Sequence, residues 1–162
     1  MKEEIEAGKT CCFTGHRLIP YKDMREIEEK LSRAIVDCIM QGYTNFIAGG
    51  ALGFDSLAAN TVINIRKRFP QIRLIMALPC RDQHSKWAVR DQIEYRRIIN
   101  LANDVICLNE KYCTGCMHMR NRFMVDHSGI CIAYLTHMSG GTAYTARYAA
   151  EKGVKVINIA ME

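Results

Sequence analysis

The sequence predicts an α/β fold, one doubly wound domain with a mostly parallel sheet of about six strands and helices on both faces. Three observations lead there. Short apolar runs alternate with amphipathic segments along the whole chain. The run Ile72 to Leu78 (IRLIMAL) reads as a strand buried on both faces. Finally, three of the runs end in glycine-rich or small polar turns, where a doubly wound sheet places its ligands.

The elements follow in order. Lys9 to Gly15 (KTCCFTG) is a first strand that ends in glycine. From Lys22 to Gln41 apolar residues return at helical spacing: Met24, Ile27, Leu31, Ile35, Cys38 and Ile39. Glu26, Glu28, Glu29, Lys30 and Arg33 take the wet side, and Gly42 is the C-cap. Thr44 to Ala48 is a second strand, running into Gly49-Gly50-Ala51-Leu52-Gly53. The next helix carries Leu57, Ala58, Val62, Ile65 and Phe69 on one face and stops before Pro70. Pro79 closes the third strand. A polar helix is expected from Gln83 to Leu101, anchored inward by Trp87, Tyr95, Ile98 and Leu101.

Asp104 to Leu108 is the fourth strand, followed by a loop at 112–115 and a short helix from Met119 to His127. Ile130 to Leu135 is the fifth, leading to Ser139-Gly140-Gly141-Thr142. A helix from Thr142 to Lys152 stops at Gly153, and Val154 to Ala160 forms the sixth strand. No repeat, linker or low-complexity tract interrupts this order. Residues 1–162 therefore read as a single Rossmann-like domain, with 1–8 a short N-terminal extension.

A chain of 162 residues can bury a real core without staples. Its 49% hydrophobic and 24% charged residues are ordinary for a globular domain and argue against disorder. The net charge of +5 favours anionic partners without separating a mononucleotide from a nucleic acid. No segment approaches the roughly 18 apolar residues of a membrane helix. The acidic start, MKEEIEAGKT, does not resemble a signal peptide, so a cytoplasmic location is expected.

That location sets the reading of the eight cysteines, which are expected to be small buried hydrophobes. Cys11, Cys12, Cys107 and Cys131 lie in strand-like runs and Cys38 on an apolar helix face. Cys113 and Cys116 form a C-x-x-C, with His118 nearby. A structural zinc site needs four ligands and no second pair exists, so no metal site is predicted.

The chemistry is expected at Thr14-Gly15-His16-Arg17, at Gly49, Gly50, Gly53 and Asp55, and at Ser139-Gly140-Gly141-Thr142. Glycine lets backbone N–H groups approach an anion, and a helix start adds partial positive charge. One such contact is worth about 0.3–2 kcal/mol. A micromolar ligand needs about 8 kcal/mol, so several turns must act together. Neither Gly-Gly turn matches the dinucleotide fingerprint or a Walker A sequence, which disfavours ATP hydrolysis by the P-loop route. Arg120 and Asn121 lie on the helix before the fifth strand, and an arginine there can hold phosphate bidentately; Arg122 reads as solvated. Asp55 can cap its helix or reach a ribose hydroxyl. Trp87 can stack on a base, close the pocket or pack as a lid.

Four motifs in one order, C-C-F-T-G-H-R at 11–17, G-G-A-L-G-F-D-S-L-A-A at 49–59, M-H-M-R-N-R-F-M-V-D at 117–126 and S-G-G-T-A at 139–143, resemble the YpsA-like branch of the SLOG superfamily. The resemblance spans Cys11 to Ile159. It implies a bacterial Rossmann-like protein that binds or senses a nucleotide or nucleotide derivative such as ADP-ribose.

The same superfamily holds the LOG phosphoribohydrolases and the DNA-processing DprA proteins. Gly49 to Asp55 looks like the DprA segment, while Arg120 with Gly140-Gly141-Thr142 looks like the LOG site. The LOG pattern P-G-G-x-G-T-x-x-E is broken here. Ser139 replaces the proline, the turn is shortened, and Thr145 stands where the catalytic glutamate would fall. Asp55 and Glu151 are the carboxylates left to substitute for it, beside Arg120. Without that glutamate nothing obvious activates water or supports an oxocarbenium-like transition state, so N-glycosidic hydrolysis of a nucleoside monophosphate is the second reading.

Single-stranded DNA binding is the third. Arg66, Lys67, Arg68 and Arg73 are basic but have only Phe69 among them, so a solvated helix end is expected and nucleic acid is disfavoured. LOG-type relatives pair through helices flanking the site, so a homodimer is a further expectation of the resemblance.

Overall fold

The structure is a computed structural model that describes residues 4–161. Its strands are β1 (Thr10–Gly15), β2 (Asn45–Ala48), β3 (Arg73–Leu78), β4 (Asp104–Cys107), β5 (Ile130–Tyr134) and β6 (Lys155–Asn158). Between them run α1 (Met24–Met40), α2 (Phe54–Arg66), α3 (Val89–Leu101), α4 (Cys116–Asp126) and α5 (Gly140–Glu151). The strands order as β4-β3-β2-β1-β5-β6, and every neighbouring pair is parallel. The chain thus builds outward from β1 to β4, then returns to the other side of β1 with β5. Winding reverses between β1 and β5, where Cys11 pairs with Ile130 and Gly15 with Tyr134. A crevice opens beyond the carboxyl ends at such a point.

Strand alternation assigns the two faces of the sheet. Cys11, Phe13, Phe46, Leu74, Met76 and Ile132 point toward α1, α2 and α3, meeting Leu31, Ile35, Val62 and Ile98. Cys12, Ile47, Ile75, Ala77 and Cys131 point the other way and meet Met124, Val125 and Ala149 of α4 and α5. Each fully buried Leu, Ile or Phe contributes about 1.5–3 kcal/mol, so this two-sided core carries most of the stability. The helical spacing in α1 is realised: Ile27, Leu31, Ile35, Cys38 and Ile39 are buried. Cys11, Cys12, Cys38, Cys80, Cys116 and Cys131 are buried free thiols, while Cys107 is half-buried and Cys113 exposed.

Several boundaries differ from the sequence reading, each for a local reason. The segment from Gln83 to Ala88 is a turn rather than helix, and α3 starts at Val89. Its polar side chains are spent on folding it back over the strand ends: Gln83 donates to the Gly49 carbonyl and the Tyr95 hydroxyl, and Gln92 to the Trp87 carbonyl. Tyr95 and Ile98 are buried as expected, but Leu101, the last residue of α3, is 41% exposed. Helix α4 begins three residues earlier than its periodicity indicates, because Gly115 supplies a left-handed turn (φ 83°) just before it. In the region 4–9, Ala7–Lys9 is a 3-10 turn and Ile5 packs on the α4/α5 side of the core.

Candidate functional site

A cavity of about 440 Å³ occupies the crevice beyond β1 and β5. Its first wall is the start of α5. Ser139, the residue before the helix, makes no capping bond; its hydroxyl meets His137 Nδ1 at 3.1 Å instead. Among the described residues no acceptor outside the helix reaches the N–H groups of its first turn. A methyl group added at Gly140 or Gly141 would meet nothing within 4 Å. Unfilled N–H groups, the positive end of a helix and open space are the features by which helix starts accept anions. Thr142 completes this wall, while the buried Thr145 hydroxyl donates back to the Gly141 carbonyl at 2.9 Å.

The other glycine-rich turn has a different role. At Gly49 an added methyl would run into the Arg120 guanidinium, and at Gly53 (φ 81°) into the Arg17 backbone carbonyl. The start of α2 is already occupied: Phe54 N–H donates to the His16 carbonyl at 3.2 Å. Ala51 N–H donates to the Asp55 carboxylate at 3.2 Å. These glycines let protein approach protein, and only Ala51 and Asp55 of this stretch line the cavity.

Arg120, from α4, is tied to the carboxyl ends of β2 and β3. Its Nη1 donates to the Gly49 carbonyl and, at 3.3 Å, to the Ala77 carbonyl, while Nε donates to Asn121 Oδ1 at 2.8 Å. That leaves Nη2 without a hydrogen bond among the described residues, in a side chain that is 2% exposed and lines the cavity. Burial pulls the guanidinium below its ordinary range, and the Asp55 charge opposes this. Burial likewise pushes the Asp55 carboxyl up, opposed by Arg120 and by the Ala51 N–H. Asp55 is the one carboxylate among the lining residues.

Thr14, Gly15, His16 and Arg17 form the β1 wall. The Thr136 N–H donates to His16 Nε2 at 2.9 Å, so the ring proton of neutral His16 sits on Nδ1. Burial, then the neighbouring His137, holds His16 below the ordinary histidine range. The two imidazoles stack with centroids 4.1 Å apart and planes 9° apart.

Some expected residues lie elsewhere. Trp87 packs edge-on against Tyr95 (5.3 Å between centroids) and lines a separate depression with Asp82 and Tyr112. Glu151 ends α5, eleven residues from Gly140, so roughly 16 Å of helix separates it from the cavity. Arg66 and Arg73 lie toward the opposite edge of the sheet, Arg66 bonded to Asn103 and Arg73 to Asp104. Arg122 is not simply solvated: it donates to the Tyr144 hydroxyl at 3.0 Å. Met117, His118 and His137 line the cavity and were not assigned to it from sequence. Their signal was position: they stand in the first turn of α4 and in the β5–α5 loop, both at the carboxyl edge.

The parallel sheet with helices on both faces and the reversal at β1/β5 define a Rossmann-like α/β fold. The model of the YspA SLOG family (YpsA) matches residues 14–160, and the chain belongs to that family. It is 30% identical over 139 residues to the SPbeta prophage-derived protein YoqJ of Bacillus subtilis, covering 78% of this chain and 81% of YoqJ. Among solved structures it is similar to DNA processing protein A of Helicobacter pylori, studied for its single-stranded DNA binding mode (TM-score 0.65, 19% identity, 93% of this chain). It is also similar to DprA of Streptococcus pneumoniae (TM-score 0.64, 14% identity, 92% of this chain). The chain spans 64% and 49% of those two proteins, and at such identities the likeness shows the fold. No helix among the described residues is long and apolar enough to cross a membrane.

Proposed function

We propose that the protein binds a nucleotide or nucleotide derivative by its phosphate, in the crevice between β1 and β5. The observation that carries this is the start of α5, where uncapped N–H groups and two unobstructed glycines face a 440 Å³ cavity. Arg120 Nη2, the Arg17 side chain and the His16 Nδ1–H add donors from the other walls. Arg120 is a poor site for a test, because its other donors hold the fold. Gly141→Leu is better: its backbone is not in the left-handed region and its new side chain enters open space.

The experiment is thermal unfolding with AMP, ADP-ribose and inorganic phosphate. A ligand at about a hundred times its Kd should raise the wild-type Tm by about 5–10 °C. The Gly141→Leu protein, with a Tm of its own at or slightly above the wild type's, should not respond. Failure of every ligand to shift the wild type would defeat the proposal. Release of free base and ribose 5-phosphate during incubation would replace it with the hydrolytic reading, for which Asp55 is the available acid.

A further inference from the structure

Resting on that phosphate reading, we propose that the ligand's other end is a guanine-type base, seated in an adjoining cavity and recognised by Asp23. This second cavity has a volume of about 480 Å³ and shares His16, Arg17 and His137 with the first. The two are therefore neighbours, with the stacked His16 and His137 imidazoles at their shared border. Their linings differ in kind. The first brings together the glycines at the start of α5, Arg17 and Arg120; the second instead holds Leu18, Pro20 and Tyr134. Leu18 is 86% exposed, a large apolar side chain with almost no protein over it. Tyr134 meets His16 edge-on with centroids 5.8 Å apart. Tyr134 is itself buried, so the open apolar surface is Leu18 and Pro20 beside the two imidazoles, which suits a planar heterocycle rather than a second phosphate.

Asp23 supplies the selectivity. It is the one acid of the second lining. It precedes α1 yet makes no capping bond, and among the described residues its carboxylate has no hydrogen bond or ion pair. A carboxylate offers two acceptor oxygens side by side and no donor. Guanine presents a matching edge, the ring N1–H beside the exocyclic N2–H, and such bidentate pairs are both strong and geometrically selective. Adenine places a ring acceptor beside its amine. Hypoxanthine keeps the N1–H but lacks the second donor. A ribose diol also offers two donors, but it is common to all three nucleotides and cannot produce a preference among them.

Equilibrium binding of GMP, IMP, AMP and inorganic phosphate to the wild type and to Asp23→Asn tests this. GMP should bind about fivefold or more tightly than AMP, with IMP between them because it keeps one of the two donors, since one good bidentate contact discriminates by at least that factor. Asn offers one acceptor and one donor, the complement of adenine's edge, so in Asp23→Asn the GMP advantage should be lost and AMP should bind as tightly as GMP or more so, while phosphate binding stays the same. The comparison within the wild type needs no variant to fold. Equal binding of GMP and AMP to the wild type, or a GMP preference that survives Asp23→Asn, would overturn the inference. Phosphate binding without base preference would sink this inference and leave the phosphate reading standing. Binding of none of the four would remove both.

Discussion

The turns after β2 and β5 are nearly the same in sequence, Gly49-Gly50 and Gly140-Gly141, each at the carboxyl end of a buried strand. In space they are opposites. The β2 turn is filled by the protein itself: the Arg120 guanidinium sits against Gly49, the Arg17 carbonyl against Gly53, and Asp55 takes the Ala51 N–H. The β5 turn is empty, its N–H groups uncapped and its glycines bordered by open space. A glycine pair after a strand therefore says only that something comes close. Whether that is the chain or a ligand depends on contacts made across long stretches of sequence.

If the β2 turn is a structural joint, breaking it should cost stability before it costs anything else. Arg120→Met should have the largest effect, about 3–5 kcal/mol in urea unfolding. It strips the buried Gly49 and Ala77 carbonyls of a donor and leaves the Asp55 charge without its opposite. A loss below about 1 kcal/mol would mean that Arg120 belongs chiefly to the ligand.

The glycines themselves separate the two turns next. Gly53→Ala should cost about 2–4 kcal/mol, because its positive φ is unfavourable for alanine and the new methyl meets backbone that cannot move aside. Gly141→Ala should instead raise stability by about 0.4–1 kcal/mol, since its conformation suits alanine and nothing is displaced. Equal losses at both positions would erase the contrast.

Much of this was legible in the sequence. The six strands and five helices follow from periodicity, and the carboxyl-edge rule selects β1, β2 and β5 for the site. What was not legible depends on tertiary partners. Gly49, Gly50 and Gly53 look like a phosphate cradle until Arg120, 71 residues from Gly49, is seen to bond there. Trp87 looks like a helical residue because nothing local shows Gln83 tied to Gly49 and Tyr95. Glu151 is close to Thr142 in sequence, yet the rise of a helix carries it out of reach. Asp23 and His137 carry no motif at all. They come to line the two cavities only through the loops that β1 and β5 bring side by side.

Acid titration gives the smallest effect and the most direct comparison, because the two regions respond with opposite sign. At the filled turn, burial raises the Asp55 carboxyl above its ordinary 3.8. Between that value and the raised one the folded state holds the proton more tightly, so this contribution is full below 3.8 and is lost as pH rises through the raised value. At the β1 wall of the cavity, burial and His137 hold His16 below its ordinary 6.5. There the unfolded state binds the proton more tightly, so the contribution is full above 6.5 and is lost as pH falls through the lowered value. Protonating His16 also removes the acceptor for the Thr136 N–H. His84, lowered chiefly by burial, adds to the same trend. Urea unfolding from about pH 7 to about pH 5 should therefore show declining stability, a window dominated by histidine. His16→Gln should make the decline shallower without abolishing it, the remainder belonging to His84. An unchanged slope in that variant would show that His16 titrates alike in folded and unfolded chains, and that the β1 wall is open enough to water to be no pocket wall at all.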